Sequence, residues 1–293
     1  MQFAKSPLRY PGGKQKLTPF IEEVITANAL EGCEYAEPYA GGAGVGISLL
    51  LSGVVSRIHL NDSCRLVYAF WRSVISKTEE ICRRISRASL NVDEWKRHRA
   101  IVQRPLQHCS IDVGFSFFYL NRCNRSGIIN GGLIGGLNQN GTWKMDARFP
   151  RKELINRIEA IASKRKMITV KNLDAEKYIE SYIGKMGLKT LVYCDPPYFN
   201  KADRLYPNYY LPTDHCRLAK FVQSNLKQPW LVSYDAAAQI LENYSGRRSL
   251  IYDLQYNASR AYKGREIFVF SDKVIIPNRS RLPFIQSALT RAS

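Results

Sequence analysis

Apolar positions recur along this chain in short runs, separated by stretches with helical spacing. Tyr35-Ala36, Arg57 to Leu60, Lys166 to Val170, Leu191 to Cys194, Trp230 to Asp235, Leu250 to Leu254 and Ile267 to Ser271 read as strands. Between them, Leu17 to Ala29, Ile47 to Leu51, Lys152 to Ser163, Ala175 to Ile183 and His215 to Leu226 carry helical periodicity. Alternation of this kind predicts an α/β fold with a doubly wound sheet. Residues 66–150 break the alternation, because helical spacing and basic residues dominate there. Phe115 to Leu120 form an aromatic helix face that belongs in a core, and Asn138-Gln139-Asn140-Gly141 between apolar flanks predicts a β-hairpin. One domain made of residues 1–65 and 151–293 is thus interrupted by a helical insert at 66–150.

The most telling punctuation follows the run Leu191 to Cys194, in Asp195-Pro196-Pro197-Tyr198. Each proline fixes its own φ and keeps the residue before it extended. A strand that ends this way aims a carboxylate and a backbone carbonyl at one point, with an aromatic ring beside them. A planar amine fits such a place: two acceptors for its N–H groups and a plate to stack on. The plain alternative is a proline turn carrying a surface aspartate.

Two glycine-bearing turns accompany it. Glu37-Pro38-Tyr39-Ala40-Gly41-Gly42 joins a strand to a helix, the first unit of a nucleotide-binding βαβ fold, though without the GxGxxG of a dinucleotide site. Asp62 closes the next strand, about twenty residues on, where such folds place an acid for ribose hydroxyls. Near the N-terminus, Arg9-Tyr10-Pro11-Gly12-Gly13-Lys14 is a loop that presents Lys14 just before a helix. Lys201 to Asp214, rich in tyrosine, reads as a loop over the site.

Charge changes the picture further. The 293 residues carry 43 Lys+Arg against 25 Asp+Glu, a net charge of +18, which favours an anionic polymer as partner. Within the insert, Arg122, Arg125, Lys144 and Arg148 are candidates to reach phosphates or base edges. Seven scattered cysteines without CxxC spacing point to reduced thiols and a cytoplasmic protein. The four scattered histidines point to no metal site, and the longest apolar run, Gly44 to Val55, is too short for a membrane span.

Taken in chain order, RYPGGK, EPYAGGAG, LND, NRCNRSG, DPPY and VSYD resemble the Dam-like family of S-adenosylmethionine-dependent DNA adenine N6-methyltransferases. The resemblance covers nearly the whole chain. It implies a Rossmann-like sheet with a helical target-recognition insert, S-adenosylmethionine as cofactor and double-stranded DNA as substrate. By it, Tyr10, Lys14 and the turn Glu37, Pro38, Tyr39, Ala40, Gly41 and Gly42 border the cofactor pocket. Asp62 holds the ribose, Asp174 lies near the cofactor adenine, and Asp195 borders both cofactor and target base. Asn121, Arg122, Asn124 and Arg125, with Lys144 and Arg148 of the hairpin, lie near DNA.

The implied chemistry matches the residues. The target adenine is flipped out, Tyr198 stacks on it, and the Asp195 carboxylate and Pro196 carbonyl accept the N6 hydrogens while Pro197 stiffens the turn. On this reading Tyr198→Phe, which keeps the ring, retains much of the activity. Family members that methylate GATC carry Arg-Tyr-Asn and Phe-Asn-Val-Pro signatures, and here that region reads Ile129-Asn130-Gly131-Gly132 and Thr142-Trp143-Lys144-Met145. The GATC target therefore does not carry over. Methylation of another amine (an RNA base or cytosine N4), or a silent DNA-binding regulator of the same fold, are the competing readings. A restriction or defence partner is left open.

Overall fold

The computed structural model describes residues 6–9, 14–199, 210–257, 261–277 and 289–291. Tyr10, the Pro11-Gly12-Gly13 turn and residues 200–209 of the tyrosine-rich segment lie outside the described residues.

Among the described residues eight strands form one sheet: β1 (Glu34–Glu37), β2 (Arg57–Asn61), β3 (Ile168–Lys171), β4 (Thr190–Cys194), β5 (Trp230–Asp235), β6 (Arg248–Asn257), β7 (Ala261–Phe270) and β8 (Leu289–Arg291). Their spatial order is β3-β2-β1-β4-β5-β7-β6-β8. The first five run parallel, and β7 pairs antiparallel with both β5 and β6. Every residue of β4 is buried, as expected for a parallel strand covered on both faces. Strand order reverses between β1 and β4, and such a switch point opens a crevice at the carboxyl ends of the strands. Glu37 and Asp195 stand at those two ends.

Period-two alternation sorts the side chains of each strand onto two faces. Tyr35, Leu191, Tyr193 and Leu231 join the larger apolar cluster; Ala36, Val192, Cys194 and Val232 join the other. The second cluster is completed by α8 (Ala175–Ser181), α9 (Pro212–Asn225) and α10 (Ala238–Asn243). The first takes α1 (Thr18–Ala27), α2 (Gly44–Leu51) and α7 (Arg151–Ser163).

The helices that follow β2 extend that first layer: α3 (Arg65–Ser76), α4 (Thr78–Arg87), α5 (Val92–Gln103) and α6 (Ser110–Cys123). Phe70, Trp95, Phe117 and Phe118 belong to the same cluster as the sheet residues Tyr35 and Ile58. Phe70 and Phe118 stack with ring centroids 5.5 Å apart, so the aromatic face of α6 is core. Gly114 makes the α3–α6 approach possible, since a Cβ there would sit 2.6 Å from the Ala69 carbonyl oxygen.

The hairpin expected at the end of the insert does not form. Residues 124–150 are turns and loop, with one 3-10 turn at Arg125–Gly127 and one isolated bridge between Asn124 and Leu133. Gly135, Gly136 and Gln139 take left-handed backbone conformations that a strand ladder does not accommodate. The Gln139 side chain satisfies the loop instead, donating to the Ile134 and Gly136 carbonyls and accepting from the Met145 amide at 3.0 Å. Among the described residues no helix is long and apolar enough to cross a membrane, and no group of His, Cys, Asp and Glu is arranged to hold a metal.

Candidate active site

The glycine turn after β1 is clamped to the end of β2. Asp62 accepts the Gly41 amide at 2.9 Å and the Cys64 amide at 2.8 Å. Burial pushes its carboxyl up to about 6, against the pull of those two amides. Asn61 ties three strand ends together: its side chain donates to the Pro38 and Leu173 carbonyls, each at 3.0 Å, and accepts the Leu173 amide at 3.0 Å. The Trp71 indole donates to the Gly41 carbonyl at 2.9 Å. With Ala40 and Gly41 buried, this edge of the turn is fixed before any ligand arrives.

Glu37 is interior. One carboxylate oxygen accepts the Gly46 amide at 3.0 Å, and burial pushes the carboxyl up to about 8, helped by repulsion from Asp195. Tyr39 points its hydroxyl at that of Tyr210, 3.0 Å away. Asp174 is exposed at the start of α8, where it caps the helix by accepting the Glu176 amide at 3.0 Å and the Lys177 amide at 3.3 Å.

The turn after β4 is held mainly by β5. Ser233 donates to Asp195 Oδ1 at 2.5 Å, and Asp235 accepts the Phe199 amide at 2.8 Å. Residues 233 and 235 share a face of the strand, which is why VSYD accompanies DPPY. Lys14 Nζ stands 3.5 Å from the same Oδ1. Burial pushes the Asp195 carboxyl up to about 6, Lys14 and Ser233 pull it down, and Glu266 pushes it up again. Both contacts fall on Oδ1; Oδ2 takes no hydrogen bond from the described residues.

Tyr198 turns inward and is 5% exposed. Lys14 donates to its hydroxyl, which in turn donates to Glu266. Lys14 Nζ also lies 4.5 Å from the centre of the ring. This corrects two expectations. The ring presents no open face to a base, so stacking requires what covers it to be displaced. The hydroxyl is bound by two charged side chains, so Tyr198→Phe is not neutral. Glu266 itself escaped notice in the sequence, where it is a lone acid at the head of an apolar run.

The family model for D12 class N6 adenine-specific DNA methyltransferases matches residues 10–258. The chain belongs to this family. No curated protein matches the chain. Among solved structures it is similar to protein LPL1258 from Legionella pneumophila str. Philadelphia 1, family-model DUF519, with 8% identity over 86% of this chain and 84% of that chain and a TM-score of 0.33. That likeness is too loose to bear on fold or function.

By the resemblance the NRCNRSG segment would be expected to face DNA, and the structure places five of its seven residues in the interior. Asn121 accepts the Arg9 amide at 2.8 Å and donates to the Arg9 carbonyl at 2.7 Å and the Gly127 carbonyl at 3.0 Å. Asn124 accepts the Trp95 indole at 2.7 Å and donates to the Ile128 and Ile129 carbonyls. Arg122 is buried, donating to the Arg148 and Pro7 carbonyls. Asn121 and Arg122 knot the N-terminal segment to this region, Asn124 ties the region to itself, and all three are buried. Arg125, Lys144 and Arg148 are exposed, beside Trp143 at 69% and Leu137 at 59% exposure. Gly127 has φ +76°, and a Cβ on it would lie 2.2 Å from the Arg9 carbonyl oxygen, so only glycine fits the knot.

This relocation gives a testable outcome. Asn121→Ala strands the Arg9 amide and carbonyl and is expected to cost about 1–3 kcal/mol of stability. The melting temperature should fall while duplex affinity of the folded protein stays at the wild-type level. Lost DNA affinity with an unchanged melting temperature would return Asn121 to the interface.

Proposed function

We propose that this chain transfers a methyl group from S-adenosylmethionine to the N6 amine of an adenine flipped out of double-stranded DNA, by direct in-line attack. The observation that carries the reading is the placing of Asp195 at the β1/β4 switch point. One of its oxygens is held by Ser233 and Lys14, and the other takes no hydrogen bond from the described residues and is open in that sense.

The residues fit the cofactor. Glu37 is a buried carboxyl with no cation on it among the described residues, beside a second carboxyl, Asp195, and such a pair favours a positively charged ligand. Two amides occupy part of the Asp62 carboxylate, leaving lone pairs for a diol. S-adenosylmethionine supplies an electrophilic methyl on a sulfonium. The rest is positioning and electrostatics by side chains of this chain. The open Asp195 oxygen accepts one N6 hydrogen and the Pro196 carbonyl the other, drawing the lone pair out of conjugation. Exposed Arg125, Lys144 and Arg148 supply phosphate contacts.

Purified protein incubated with labelled S-adenosylmethionine and duplex DNA should yield N6-methyladenine on base analysis. Label found only in N4-methylcytosine or in RNA would replace this reading. Calorimetry should show one cofactor site. Asp62→Ala removes the ribose acceptor and the clamp on Gly41, hydrogen bonds to a charged group worth about 1.5–3 kcal/mol, and should weaken binding accordingly. Equal affinity in the two proteins would remove Asp62 from the pocket.

A further inference from the structure

Glu266 is a carboxylate 1% exposed, set in the middle of the sheet on β7 opposite Asp235 of β5 and Tyr252 of β6. Its oxygens are fully engaged. Oε1 accepts Lys14 Nζ at 3.0 Å and the Tyr198 hydroxyl; Oε2 accepts Lys14 Nζ at 2.9 Å and the Tyr252 hydroxyl at 2.7 Å. Taking a carboxylate and an ammonium out of water costs several kcal/mol per ion, so a buried pair is weak evidence for a purely stabilising role. Apolar residues at this place would serve the sheet as well. The arrangement needs another account.

That account lies in the competition between two carboxylates for one ammonium. Lys14 sits within hydrogen-bond distance of both Glu266 oxygens and 3.5 Å from Asp195 Oδ1. Lys14 is thus held on the carboxylate farther from the crevice and is only a secondary partner of the one at its edge. The same Glu266 oxygen takes the Tyr198 hydroxyl and so fixes the last residue of the DPPY turn.

We propose that Glu266 is a positioning residue for methyl transfer: it keeps Lys14 and the Tyr198 hydroxyl on its own carboxylate, so that Asp195 retains an open oxygen for the target amine. The inference rests on the reading of Asp195 as the acceptor of an N6 hydrogen. With the negative charge at 266 removed, Lys14 still has the Asp195 carboxylate 3.5 Å away and is drawn onto it. The acceptor is then neutralised and the turn loses its anchor.

The groups facing Asp195 set the sign of the test. Lys14 faces it from the N-terminal segment, Glu37 from β1, Ser233 from β5 and Glu266 from β7, with tyrosines 35, 193 and 252 nearby. Burial pushes the three tyrosines up, so they stay neutral, and Glu37 is common to wild type and variants. Loss of the Glu266 charge removes a repulsion and strengthens the Lys14 attraction, and both lower the proton affinity of Asp195.

The measurement is the single-turnover rate of methyl transfer against pH, with saturating cofactor and duplex. Glu266→Gln, nearly isosteric, should lower the plateau on the order of tenfold to a hundredfold and move the acid limb down by about one pH unit. Tyr252→Phe keeps the charge and should leave the limb in place. A plateau that falls with an unmoved limb, or a wild-type profile in Glu266→Gln, would overturn the proposal and leave Glu266 as a pin between strands. Should Glu266→Gln fail to fold, Glu266→Asp decides. Its shorter reach also releases Lys14 toward Asp195, and a wild-type limb in that variant overturns the proposal. An inactive wild type is a different result, since it removes the reading of function and this inference together.

Discussion

Asp195→Ala is expected to abolish methyl transfer while leaving duplex binding at the wild-type level. The carboxylate stands where the sheet reverses its order, with Oδ1 fixed by Ser233 at 2.5 Å and Lys14 at 3.5 Å. The open Oδ2 is then aimed by a side chain that cannot rotate without breaking both contacts. Loss of one preorganised group that acts on developing charge costs on the order of 10²–10³-fold in rate, and in the proposed mechanism Asp195 is the charged member of the pair of acceptors. Exposed Arg125, Lys144 and Arg148 belong to another part of the chain, so a mobility-shift assay should read unchanged affinity. Because Asp195 also adjoins Glu37, the assay needs saturating cofactor. Protonation mimics the variant: the carboxyl is pushed up to about 6, so wild-type turnover falls as the pH drops through that region. A bound sulfonium favours the carboxylate and draws the limb lower. Near-wild-type turnover by Asp195→Ala at saturation would reduce the DPPY turn to a strand end and remove the mechanism.

The parts of the fold that were legible in sequence are those where local chemistry and tertiary placement agree. β4 is an apolar run ended by two prolines, and β5 reads as Trp230 to Asp235 in both sequence and structure. The glycine turn and Asp62, 21 residues beyond Gly41, announce a clamp that the hydrogen bond between them makes concrete. The region after β2 was legible as helices but not in its polar detail. Asn121, Arg122 and Asn124 look like surface readers of a nucleic acid because their partners, Arg9, Pro7 and Trp95, are 29 to 115 positions away. No local signal announces such a contact. The hairpin failed for the opposite reason. Asn140-Gly141 is a local turn signal, and it was overridden by left-handed positions at 135, 136 and 139 and by one glutamine side chain. Glu266 was illegible because the groups around it come from three other places: Lys14 before α1, the turn after β4 with Tyr198 and the Asp195 it repels, and Tyr252 on β6. Only the antiparallel insertion of β7 between β5 and β6 brings it to the site.

Tyr198 separates what the ring does from what its hydroxyl does. Tyr198→Ala loses the stacking surface, worth roughly 1–3 kcal/mol for a base on an aromatic, together with the bonds to Lys14 and Glu266. It should be the slower of two variants in a single-turnover assay. Tyr198→Phe keeps the ring but removes a hydroxyl bound by two charged groups, a loss of about 1.5–3 kcal/mol for such hydrogen bonds. Its rate should therefore fall clearly below wild type. Inactivation by the two changes has different sources, and a mismatch opposite the target adenine distinguishes them. The mismatch lowers the cost of extrusion, so it should recover part of the activity of Tyr198→Ala, whose deficit lies in holding the flipped base. It should recover little in Tyr198→Phe, where the ring is present and the fault is a loosened Lys14 beside Asp195. Wild-type rates in Tyr198→Phe would show that the inward hydroxyl contributes nothing to turnover. Equal rescue of both variants would show that the hydroxyl acts on base capture, and the ring and the Lys14–Glu266 pair would then have to be treated as one unit.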